Sequence, residues 1–262
     1  MYRACFTPWI TAPLSLAGNQ PRISPATLKS WGCDAVELLG WQAASLPGPD
    51  QHALRESLCE ASLSVAFITA TDDAGDGWTL ASLRKAYELA GVFEPECVVS
   101  VAPPRASDAG LNEGQAATWL LAATAMAEAA GVPLLVENRP GSWAGTGLAH
   151  DQFIDHIESP WLGASCNPAG FVALREHPFL TAFMPGHLKQ RLHLLRIRDA
   201  RFDDGGVTRL NEGNAEIAEL VSAAMARGFG GFFAVDTPSA EPEEVRPALA
   251  DLKQLLALLG LA

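Results

Sequence analysis

The stretch Pro133-Leu134-Leu135-Val136-Glu137-Asn138-Arg139-Pro140-Gly141 decides how the chain is read. Leu134 to Val136 form a short apolar run, as a parallel strand does when both of its faces are buried. A helix-length segment ending at Ala130-Gly131 precedes the run, and Pro140-Gly141 closes it. A carboxylate, Glu137, follows directly. Unpaired buried carboxylates are costly, so a Glu at a strand tip needs either a structural partner (a helix cap or an ion pair) or a chemical role.

Outward from this stretch the same unit recurs. Apolar runs predict strands at residues 3–9, 33–40, 64–69, 97–101, 162–166, 192–198 and 231–235, besides the one at 134–136. Between them, helical segments are predicted over 25–31, 52–61, 80–90, 113–130, 151–157 and 215–227, with a last one over 245–259. Ser24 followed by Pro25 is an N-cap signal, and Glu113 to Ala130 is rich in good helix formers. Residues 103–114 and 201–214 are polar and contain Gly, so they read as loops. Eight strands alternating with helices predict an α/β fold, a single (β/α)8 TIM barrel over residues 1–262. An open doubly wound sheet is the alternative, but it wants a Gly-rich phosphate loop after the first strand, where Thr7-Pro8-Trp9 stands.

Composition narrows the function. The formal charge of −12 argues against nucleic acid, which needs a clustered basic face. No apolar run reaches membrane-span length, and the N-terminus lacks a signal-peptide core, so no membrane partner and a cytoplasmic location are expected. The five cysteines are scattered without a CxxC pair and read as reduced thiols. No P-loop, dinucleotide fingerprint or nucleophile elbow occurs.

In a barrel, chemistry sits at the C-terminal strand tips. There the fifth to eighth strands present Glu137, Asn167, Arg196 and Asp236. With Asp34-Ala35-Val36-Glu37-Leu38, Val136-Glu137-Asn138-Arg139-Pro140, Leu210-Asn211-Glu212-Gly213-Asn214 and Gly228-Phe229-Gly230-Gly231, this layout resembles the xylose isomerase-like (sugar phosphate isomerase/epimerase) family over nearly the whole chain. Arg196-Ile197-Arg198-Asp199 stands where that family has a His-x-Lys-Asp segment. The resemblance implies a divalent metal (Mn, Mg, Co or Zn) held by Glu, Asp, His and Glu. Here those positions are Glu137, Asn167, Arg196 and Asp236. A guanidinium has no lone pair and stays charged, so Arg196 is expected to pair with Glu137 and Asp236 and to fill the cation's place. No cofactor is expected.

The leading expectation is therefore a metal-free isomerase, epimerase or lyase acting on a small carbonyl or polyol substrate. Glu137 and Asp236 would move protons, and Arg196 would stabilise an oxyanion. Asn167, Glu37, Trp9, Arg139 and Trp143 are candidate substrate-binding residues (Glu37 alternatively the partner of an arginine), with Phe6, Trp41 and Phe171 as further aromatics near the tips. A second reading is a metal enzyme with shifted ligands drawn from His187 or His193. A third is a non-catalytic binding barrel. The family's members often pair through barrel faces, which leaves a homodimer open.

Overall fold

Eight parallel strands close into a barrel in the computed structural model, which describes residues 8–71, 77–105, 110–184 and 186–261. They are β1 (Trp9–Leu14), β2 (Ala35–Leu39), β3 (Ser64–Thr69), β4 (Cys97–Val101), β5 (Leu134–Glu137), β6 (Leu162–Cys166), β7 (Leu192–Ile197) and β8 (Phe232–Val235). Each pairs with its neighbour in sequence, and β1 closes the ring by pairing with both β2 and β8. Outside run α1 (Pro25–Ser30), α2 (Gly40–Ser45), α3 (Gly48–Glu60), α4 (Leu80–Phe93), α5 (Glu113–Ala130), α6 (Gly147–Asp155), α7 (Pro168–Val172), α8 (Leu188–Arg191), α9 (Ile217–Met225) and α10 (Pro242–Leu258).

Local chemistry sets the helix ends. Ser24 Oγ accepts from Thr27 N at the start of α1, and Asn112 with Gln115 forms a capping box at the start of α5. Gly131, at φ +67°, ends α5 in a left-handed turn that favours glycine. The chain can then reverse directly into β5.

Alternation along each strand divides the apolar residues between two cores. Leu134 and Val136 face the helices, whereas Leu135 joins Ala35, Phe67, Cys97, Val99, Leu194 and Ala234 inside the barrel. This inner plug is the floor on which the site stands.

One strand departs from expectation. The sequence predicts the first strand over residues 3–9, ending at Pro8. Residues 1–7 lie outside the described residues, and the strand that joins the barrel is Trp9–Leu14. Proline is tolerated where a strand begins, so Pro8 precedes β1 instead of ending it.

Candidate active site

The alternation that buries Leu135 carries Glu137 into the barrel one step higher. On β7 it brings Leu194 and then Arg196 inward, and on β2 Ala35 and then Glu37. The three charged side chains meet. Arg196 donates from Nη1 and Nη2 to the two oxygens of Glu37 at 2.5 and 3.0 Å, and from Nε to Glu137 Oε2 at 2.8 Å. Its Cζ lies 5.1 Å from the Phe67 ring centroid, a cation–π contact with the apolar floor. Ser165 Oγ donates to Glu137 Oε2 at 2.7 Å, and the Thr69 hydroxyl donates to Glu37.

Glu37, Glu137 and Arg196 are only 5–7 % exposed, so little water screens them. Burial works against the guanidinium's charge, but Glu137 and Glu37 outweigh it and hold the Arg196 pKa well above its ordinary value. Two carboxylates around one guanidinium leave the cluster formally at −1.

The expected pairing of Arg196 with Glu137 and Asp236 holds for Glu137 alone. Asp236 pairs with Arg198 at 3.2 Å, and Glu37 takes the place expected for it beside Arg196. Register explains the change. Ala234 is level with Arg196 and Ser165 is level with Glu137. Asp236 and Asn167 each lie two residues further along, one tier nearer the rim. There Asp236 and Arg198 line a cleft of about 460 Å³ with Thr208, Glu212, Thr237 and Glu244; Glu137 and Arg196 are not on its wall. The backbone of Asn167 exchanges two hydrogen bonds with the Asn138 side chain, at 2.6 and 2.8 Å. Two buried atoms of this tier, Asn167 Oδ1 and Arg198 Nε, have no hydrogen-bond partner.

Other candidates fall elsewhere. Trp9 sits at the opposite, N-terminal mouth, lining a cleft of about 420 Å³ with Trp161, His193 and Phe232, away from the C-terminal strand tips. The shift of β1 places it there. Trp143 turns outward between α5 and α6, donates from its indole to Leu111 O, and lies under Arg105. Arg139 is exposed on the turn after β5. Trp41 lies 40 % exposed on α2, Phe171 is wholly buried in α7, and Phe6 is outside the described residues. Asp199 turns away from Arg198 and accepts from Gly213 N and Ala215 N, tying down the following loop. Phe67, Thr69, Ser165 and Asn138 were missed. The first three lie on inward positions of β3 and β6, where counting in twos from Glu137 and its strand partners finds them.

The divalent metal that the family resemblance implies does not fit these residues. The carboxylates nearest the usual centre are both in contact with Arg196, and a cation about 4 Å from a guanidinium is repelled by several kcal/mol even at an effective dielectric near 20. His187 pairs with Asp155 on the far side of α6, and His193 lines the N-terminal mouth, so neither supplies a replacement imidazole. Among the described residues no three His, Cys, Asp or Glu side chains converge on a metal position.

Comparison with protein families matches residues 25–259 to the xylose isomerase-like TIM barrel. No curated protein matches the chain. Among solved structures, a xylose isomerase-like TIM barrel protein from Mycobacterium smegmatis in complex with magnesium is similar at TM-score 0.70 and 17% identity, covering 100% of both chains. The probable 3-DHS dehydratase AsbF from Bacillus anthracis gives 0.69 and 13%, over 94% of this chain and 99% of that one. The 3-keto-D-glucoside 4-epimerase YcjR from E. coli gives 0.65 and 11%, over 96% and 100%. At these identities the likeness is one of fold.

Proposed function

Because the chain belongs to the xylose isomerase-like TIM barrel family, we propose that it is an isomerase, epimerase or lyase that moves a proton on a small polar carbonyl or polyol compound without a divalent metal. Glu137 carries the reading. Ser165 and Arg196 both donate to Oε2, which fixes the carboxylate, and Oε1 is the oxygen assigned to the substrate. A fixed carboxylate with one oxygen open is suited to taking a proton from carbon. The donors of Arg196 are largely spent on Glu37 and Glu137, so Arg196 stabilises a developing enediolate through its charge more than by direct hydrogen bonds. Asp236 returns the proton from the rim, with Arg198 and Asn167 orienting the substrate. A dehydratase and an epimerase are named among the similar structures, and proton removal beside a carbonyl is one first step open to either kind of reaction.

The test is hydrogen exchange. Protein treated with EDTA is incubated in D2O with a panel of ketoses and keto acids, and the loss of α C–H signal is followed by NMR. Wild type exchanges at least one compound and Glu137→Gln exchanges none. A second reading, a binding barrel without chemistry, is favoured by the burial and saturation of the Glu37–Arg196–Glu137 cluster. It predicts no exchange by wild type with any compound.

A further inference from the structure

We infer that the Arg196 guanidinium is the built-in cation of this barrel: clamped by Glu37 and Glu137, it occupies a latent site for a hard divalent ion and shuts such ions out. Glu37 comes from β2 and Glu137 from β5, and the guanidinium of β7 reaches both across the barrel interior. Three carboxylate oxygens accept from it and the Thr69 hydroxyl lies 3.4 Å from Nη2, while the Ser165 hydroxyl donates to the Glu137 oxygen that Arg196 also holds. That donor set is all oxygen and mostly anionic, which suits Mn²⁺, Mg²⁺ or Ca²⁺ better than a soft ion. The Phe67 ring closes the floor below. Removing only the guanidinium leaves two buried carboxylates without a counter-charge, which then either take up protons or gather a divalent ion completed by water; the inference is that the ion wins when it is supplied. Glu37 is therefore a positioning residue: it holds the guanidinium over Phe67 and keeps the place filled. The inference stands apart from the proton-transfer reading, since a non-catalytic barrel with this cluster excludes metal in the same way.

Manganese binding, counted by EPR, tests it on wild type, Arg196→Ala, Arg196→Lys and the double variant Arg196→Ala/Glu37→Gln. Arg196→Ala takes up one additional Mn²⁺ that wild type and Arg196→Lys lack, and the double variant binds that ion at least tenfold more weakly, about 1.4 kcal/mol. Ions on the acidic surface are common to all four proteins and cancel in the comparison. Should Arg196→Ala lose its fold, added Mn²⁺ restores it and raises its melting temperature. The inference is overturned if wild type binds as many Mn²⁺ ions as Arg196→Ala. It is equally overturned if Arg196→Ala, folded or not, neither binds the ion nor is stabilised by it. The D2O exchange of wild type is measured separately, so either proposal can fail alone.

Discussion

At the scale of single residues, the centre of this barrel depends on one guanidinium with two carboxylates to satisfy. Arg196→Met keeps much of the volume but leaves Glu37 and Glu137 buried and uncompensated, which costs about 3–5 kcal/mol. Urea unfolding at pH 7 measures this, and adding Glu37→Gln and Glu137→Gln to the variant recovers a large part of it. On the chemical side, Glu137→Gln abolishes α-proton exchange and Asp236→Asn abolishes net turnover, while circular dichroism stays that of wild type; full activity in both variants rejects the assignment. Glu137 and Arg196 were legible in the sequence because each ends an apolar strand. Glu37 was legible as a pocket residue or an arginine's partner, but which arginine it grips, and with both oxygens, was not, because the length of a guanidinium lets it reach several partners.

At the scale of elements, the loop after β7 hangs on Asp199 and the lower barrel on close backbone approaches. Asp199→Ala strands the buried N–H of Ala215 and the half-buried N–H of Gly213 and costs about 1–3 kcal/mol. Proteolysis near residues 205–214 is the direct readout. A Cβ on Gly231 falls 2.0 Å from His193 O, a backbone atom that cannot swing aside, so Gly231→Ala destabilises by about 1–3 kcal/mol. Gly91, inside α4, has nothing within 4 Å of its Cβ position, and Gly91→Ala gains about 0.5–1 kcal/mol through helix propensity. Thermal melts of the two variants shift in opposite directions. The boundaries of α5 and β5 were readable because the Asn112 cap and Gly131 mark them chemically. The first strand was misread because Pro8 punctuates either an end or a beginning, and only pairing with β2 and β8 decides which.

At the scale of the whole molecule, acid weakens the fold through a histidine outside the chemistry. His150, wholly buried on α6, donates from Nε2 to Val136 O at 3.0 Å, while its Nδ1 has no partner. Burial lowers its pKa to about 4, against a weaker upward pull from the Val136 carbonyl and Asp151. As pH falls below about 6.5, the unfolded chain takes up this proton before the folded one does. Stability is thus complete above that pH and declines by about 3 kcal/mol down to about pH 4. Burial lowers His193 in the same direction. Chemical denaturation across this range shows the slope, and His150→Gln flattens it. By itself the sequence determined the alternation of strands and helices, hence the barrel, and which polar residues lie at the strand tips, because period and punctuation are local properties of the chain. Only the tertiary structure decided which of those residues share a tier. Register sets Arg196 level with Ala234 and lifts Asp236 to Arg198, and register is fixed by hydrogen bonds between strands far apart in sequence.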